Sequence, residues 1–171
     1  MAGLLRLLPF LLLLGISLPF AACNSGGPDI HLDSGTLAPS FSLPDLSGKT
    51  INFKKDMGRG KTYLLFWSSS CVSCKEGMMV LEEVYKKSRG AGFSVVAVNV
   101  YQDRDTVSAF AEELGLSYPI LLDTKGDVAT TYEVFAIPVA YVIDPAGIVL
   151  DKFMGEMTKE NVEAIIKKYW L

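Results

Sequence analysis

Tyr63 to Trp67 is a short, wholly apolar run that stops at three serines and then at Cys71-Val72-Ser73-Cys74, with an amphipathic stretch directly behind it. An apolar run of this length, bounded by Gly60 on one side and Ser68 to Ser70 on the other, predicts a strand buried on both faces. From Lys75 to Lys87, Met78, Leu81, Glu82 and Tyr85 recur at intervals of three and four, which predicts a helix with one core-facing stripe. A buried strand feeding a helix through a few residues is the unit of an α/β fold, and it sets two cysteines at the helix N-terminus.

The flanking segments extend that unit. Phe41, Leu43 and Leu46, then Ile51 and Phe53, lie on either side of Ser47-Gly48 and predict two short strands in a hairpin. Gly90 and Gly92 end the helix, and the β-branched run from Phe93 to Val100 predicts a central strand. Val107, Phe110, Ala111 and Leu114 are helically spaced up to Gly115, Pro119 to Leu122 suits an edge or connecting strand, and Val128 to Val134 a short helix. Ala140 to Ile143 and Ile148 to Met154 flank the turn Asp144-Pro145-Ala146-Gly147 and predict a second hairpin. Thr158 caps a last helix whose face is Val162, Ile165, Ile166 and Tyr169. The order predicts an α/β sandwich with a mixed central sheet flanked by helices and an extra N-terminal β-hairpin.

The first residues read differently. Arg6 is the only charge before Cys23, and an apolar stretch rich in leucine runs to Ala21-Ala22, which is the pattern of a signal peptide. Phe20-Ala21-Ala22-Cys23 resembles a bacterial lipobox, with Cys23 as the lipidation site. The rival is an uncleaved anchor, since Leu4 to Ala22 is long enough to span a bilayer, although Pro9 and Pro19 interrupt it. Residues 24–35 read as a flexible tether containing the lone histidine, His31, and residues 36–171 as one domain. The expected product is an exported protein, membrane-anchored and facing the periplasm or another extracytoplasmic space.

Of the 16 basic residues only Arg6 precedes Cys23, so 15 are interspersed with 19 acidic ones beyond it, without a basic block or stripe; nucleic acid is not an expected partner. A lipidated Cys23 removes the odd thiol and leaves Cys71 and Cys74 as the available pair. A thiolate attacks a disulfide, and the unpaired N–H groups of a helix N-terminus favour that anion, so Cys71 is expected to be the nucleophile and Cys74, one turn inside, the resolving thiol. Structural zinc lacks ligands, because only His31 and Cys23 could join the pair, and a copper chaperone lacks a distant histidine within the domain. A purely structural disulfide closes so short a loop that it adds little stability. No metal and no cofactor other than the Cys71–Cys74 couple is expected.

Phe66 to Lys75 resembles the active-site stretch of the TlpA/ResA-like thioredoxins of bacteria. The resemblance extends through Ala38 to Lys49, Val95 to Val100, and Asp123-Thr124 through Val134 to Asp144, so that residues 36–169 are covered. It implies a thioredoxin-like fold and thiol-disulfide exchange with protein substrates. It further implies reduction of apocytochrome c or similar exported thiol proteins in cytochrome c maturation, with a membrane thiol electron donor as partner. Pro138 matches the family's cis-proline, making Ile137-Pro138 a substrate-binding element.

Three features depart from the family. Val72-Ser73 has no proline, Leu65 stands where cytosolic thioredoxins place a buried acid, and Gln102 followed by Asp103 stands where a glutamate is expected, so the proton transfer expected of that pair either shifts to Asp103 or is weaker. Trp67 and Phe66 are expected in the core rather than on the site's surface, and Lys75 either supports the Cys71 thiolate or is simply solvated. Two alternatives remain. The hairpin Ala38 to Lys49 is shared with peroxiredoxin-like thiol peroxidases, although these place Thr and Pro upstream of a single cysteine; a tethered, non-enzymatic adaptor is the other.

Overall fold

The strand Lys61–Trp67 is buried from Thr62 onward because sheet neighbours flank it on both edges and helices cover both faces. The computed structural model describes residues 32–56, 60–88 and 92–171. In chain order the elements are β1 (Ser42–Pro44), β2 (Thr50–Asn52), α1 (Phe53–Asp56), β3 (Lys61–Trp67), α2 (Val72–Ser88), β4 (Phe93–Val100), α3 (Arg104–Leu114), β5 (Ile120–Asp123), α4 (Asp127–Thr131), β6 (Val139–Ile143), β7 (Val149–Met154) and α5 (Lys159–Trp170). The main sheet runs β5-β4-β3-β6-β7, parallel from β3 through β5 and antiparallel at β6 and β7. It is the expected thioredoxin-like mixed sheet, with β1 and β2 forming the extra hairpin.

Alternation along β3 and β4 divides the core. Tyr63, Leu65, Trp67, Val95 and Ala97 pack with Met78 and Leu81 of α2, Val107 and Ala111 of α3, and Val162 and Ile166 of α5. Leu64, Phe66, Val96, Val98 and Val100 face the opposite side, against Val128 and Ala129 of α4 and against Tyr132. Trp67 and Phe66 are wholly buried, as expected of core residues.

Two boundaries differ from the sequence reading. Phe53 does not extend the second strand: it opens the single turn α1, where its buried ring stacks on Phe41 at a centroid distance of 4.7 Å. The tether expected over residues 24–35 gives way to the domain by Leu32, which is buried in the core, while the Gly35 amide and Ser34 hydroxyl donate to the carbonyls of Val149 and Leu150. Two apolar residues, Ile30 and Leu32, among glycines and polar residues are too few to set a period, so the anchoring of Leu32 is visible only once β7 is in place. Residues 1–31, with Cys23 and His31, lie outside the described residues. Among the described residues no helix is long and apolar enough to cross a membrane.

Two contacts fix α2 below its first turn. Gly77 lets the helix lie directly against Met157, since a Cβ there would fall 2.5 Å from the Met157 Cβ and 2.6 Å from its carbonyl oxygen. Glu82, almost fully buried, accepts from the Ser117 amide and hydroxyl at 2.8 and 2.6 Å and pairs with Lys86 at 2.9 Å. Burial alone would raise the Glu82 pKa, but the Ser117 bonds and the Lys86 ammonium outweigh it and hold the carboxyl below its ordinary range.

Gly77→Ala should therefore lower stability by about 1–2 kcal/mol, overpacking against a backbone carbonyl exceeding the gain in helix propensity. A urea midpoint equal to or above that of the parent protein would contradict this. Because the folded pKa of Glu82 lies below its unfolded value, its contribution is complete above about pH 4.3 and is lost as pH falls through the lower folded value. Unfolding measured at pH 6 and pH 3 should show a smaller acid loss in Glu82→Gln than in the parent; equal losses would remove Glu82 from the acid response.

Candidate active site

β3 hands the chain to α2 through a turn that its own serines close. The Cys71 amide donates to the Ser68 carbonyl at 3.0 Å, the Ser70 amide to the Ser68 hydroxyl at 3.3 Å, and the Ser68 and Ser70 hydroxyls meet at 2.9 Å. α2 begins at Val72, so Cys71 occupies the position just before the first helical residue, and its carbonyl accepts from the Cys74 amide at 3.1 Å. The two sulfurs are joined in a disulfide with the Cα atoms 5.3 Å apart.

The two cysteines differ in exposure. Cys74 is fully buried in the core under α2, whereas Cys71 is partly exposed beside Val72, which is 92 % exposed. The Ser73 hydroxyl lies 3.6 Å from the Cys71 sulfur. Of the two sulfurs, that of Cys71 is open to an incoming thiolate, and that of Cys74 lies on the protected side. Cys71 thus stands at a helix N-terminus, a position where first-turn N–H groups and the helix dipole in general favour an anion.

The register of β3 with β6 brings the second part of the site. Phe66 pairs with Val139, so Ile137-Pro138 lies just past the end of β3, beside the serine turn, and its peptide bond is cis. Ile137, Phe135, Tyr101, Gln102, Ser68 and Ser70 line a groove of about 420 Å³ there. Phe135 and Tyr101 are 90 % and 67 % exposed.

Gln102 and Asp103 do separate work. The Gln102 carbonyl oxygen accepts from the Ser69 amide and from the Asn99 side-chain amide, each at 2.8 Å, and its own amide donates to the Ser69 hydroxyl at 2.7 Å. It thereby ties the serine turn to β4. Asp103 caps α3, accepting from the Thr106 amide and hydroxyl, each at 2.9 Å, and the amide followed by the hydroxyl holds its carboxyl below the ordinary aspartate range. Lys75 pairs with Glu113 of α3, and Leu65 is fully buried. Among the described residues no three His, Cys, Asp or Glu side chains gather at metal-binding range.

The sequence reading named the cysteines and Pro138, which the structure places at this turn, and did not name Tyr101 and Phe135 or the contact between Ser69 and Gln102. Ser69 and Gln102 lie 33 residues apart, and neither stands in a pattern that a local motif would show. An aromatic residue directly after a predicted central strand and another three residues before the matched proline were the available signals.

Residues 34–152 match the AhpC/TSA family. The thiol-disulfide oxidoreductase ResA of Bacillus thuringiensis subsp. konkukian is 33 % identical over 137 residues, which is 80 % of this chain and 79 % of that protein. Among solved structures, a Chlorobium tepidum protein assigned as thiol:disulfide interchange protein DsbE superposes with a TM-score of 0.74 at 29 % identity, covering 81 % of this chain and 96 % of that one. The peroxidoxin BcpB of Mycobacterium tuberculosis reaches 0.70 at 22 % identity, over 81 % and 98 %, a likeness of fold alone. With a surface-reaching Cys71 bonded to a buried Cys74 at a helix start, and relatives that share most of its length, the chain belongs to the AhpC/TSA family and, within it, to the ResA-type thiol-disulfide oxidoreductases.

Proposed function

We propose that the protein is an exported, membrane-tethered reductant of protein disulfides, in which Cys71 is the nucleophile and Cys74 the resolving thiol. The observation that carries this reading is the unequal exposure of the two sulfurs at the N-terminus of α2. The Cys71 thiolate attacks one sulfur of a substrate disulfide, the substrate's other sulfur leaves as a thiolate, and a mixed disulfide forms on Cys71. Cys74 loses its proton and attacks the Cys71 sulfur. This releases the second substrate thiolate and leaves the Cys71–Cys74 disulfide, so two electrons pass to the substrate. The backbone of Ile137-Pro138, just before the start of β6 and beside the serine turn that leads to Cys71, presents hydrogen-bonding groups to the extended substrate chain.

The proton that Cys74 gives up has no titratable acceptor in Gln102, whose amide is engaged with Ser69 and Asn99. Asp103 remains the ionisable member of that pair, and its lowered pKa suits it to anchoring α3 more than to proton exchange near neutrality. Gln102 acts instead as a positioning residue that holds the turn before Cys71.

The substrates are exported thiol proteins, with apocytochrome c as the leading one, and electrons arrive from a membrane thiol donor. A leader over residues 1–23, ending in a lipidated Cys23 or retained as an anchor, with a short tether beyond it, supports placement outside the cytoplasmic membrane. The disulfide is one oxidation state of the couple, and a reductant in an oxidising compartment needs such a donor to be regenerated.

The test is capture in cells. Full-length Cys74→Ser should accumulate mixed disulfides on Cys71 that dissolve on reduction, with apocytochrome c among the captured proteins, and the additional change Cys71→Ser should abolish them. Adducts that persist without Cys71, or no adducts at all, would contradict the assigned roles; adducts lacking apocytochrome c would remove that substrate and leave the chemistry standing.

A further inference from the structure

Tyr101 is held in a backbone conformation that side chains with a Cβ rarely adopt. Its φ is 63°, in the left-handed region, at the point where β4 leaves the sheet. The conformation is fixed from beneath: the Tyr101 amide donates to the Asp123 carbonyl at 3.1 Å, the same carbonyl accepts from Gly126, and the buried Asp123 carboxylate accepts from the Ala129 amide at 2.7 Å. Strain of this kind persists where the surroundings over-determine it, and it gathers at functional sites.

The ring is placed as firmly as the backbone. It lies over Gly126, where a Cβ would fall 2.2 to 2.3 Å from the ring atoms Cε1 and Cζ and the hydroxyl oxygen. Gly126 is thus a saddle that only a residue without a side chain provides, and it supports a ring that still leaves Tyr101 two-thirds exposed. A surface tyrosine without a role does not need a strained backbone and a glycine seat. The ring forms one wall of the groove that also contains Ile137, Phe135 and the serine turn, and none of the residues lining that groove carries a charge.

We infer that Tyr101 is a specificity-determining residue of the exchange reaction: a preset aromatic wall that takes a flat apolar side chain flanking the reacting cysteine of an extended protein substrate. The occupant follows from the groove's lining by Ser70, the residue before Cys71, and by Ile137, so that a chain disulfide-bonded to Cys71 runs alongside it, and from its uncharged lining. A rigid, exposed aromatic ring with few rotatable bonds favours an aromatic or large apolar partner and loses little freedom on binding. The inference rests on the exchange chemistry at Cys71 and adds to it which substrate segments are preferred.

The experiment uses the full-length reduced protein and two synthetic peptide disulfides that differ only in the residue next to the cysteine, phenylalanine in one and serine in the other. The readout is the ratio of their second-order rate constants. The parent protein should prefer the phenylalanine peptide by about tenfold, the size expected of one aromatic contact with its buried area. Tyr101→Asn, which tolerates the left-handed backbone but lacks the ring, should bring the ratio close to one, and Tyr101→Phe should retain it. An unchanged ratio in Tyr101→Asn, or a parent protein without preference, overturns the inference. A parent protein that reduces neither peptide overturns the exchange chemistry itself, and the inference with it.

Discussion

The site depends on one junction, where a strand that cannot shift delivers the chain to the N-terminus of a long helix. β3 has partners on both edges and apolar side chains packed on both faces, so its end point is fixed by the whole core. α2 is fixed in turn by Gly77 against Met157 and by Glu82 under Ser117. The turn between them, closed by Ser68 and Ser70, has no freedom to place Cys71 anywhere but at the helix start, the kind of position where unpaired N–H groups favour an anion. The same geometry turns Cys74 into the core, and the chemical inequality of the two sulfurs is a consequence of that burial.

Two segments distant in sequence bring three groups to this junction. Gln102 at the end of β4 clamps Ser69, Ile137-Pro138 at the start of β6 flanks the turn, and Tyr101 closes the groove from its seat on Gly126. All three sit at strand ends on the side of the sheet where β3 and β4 run out, as expected for open α/β sheets, in which sites form beyond the carboxyl ends of parallel strands. The likeness to a peroxidoxin shows that this scaffold alone does not choose the reaction. The choice lies in a second cysteine three residues after the first and already bonded to it.

The elements read most directly from the sequence were those governed by local rules. The apolar run of β3, the turn between β6 and β7, the Gly115 end of α3 and the Thr158 cap of α5 each announce themselves within a few residues, and each is present. The misread boundaries are those where a single residue is recruited by a distant surface. Phe53 satisfies strand propensity equally well, but stacking on Phe41 draws it into a helical turn; Leu32 belongs to no sustained apolar pattern and packs in the core that includes Val149 of β7. The cysteine pair was legible because its chemistry depends on short spacing. The Ser69–Gln102 clamp and the left-handed Tyr101 were not, because one is a contact across 33 residues and the other a backbone state imposed by Asp123 and Gly126.

The central claim is that the β3–α2 junction makes Cys71 a stabilised thiolate. It is tested most directly by following the alkylation rate of Cys71 against pH in the reduced full-length protein, with Cys74 protected by its burial. The account predicts a midpoint clearly below the value of about 8.5 for a free cysteine. A midpoint at or above that value would contradict it, since Cys71 would then gain nothing from the helix N-terminus on which the proposed exchange depends.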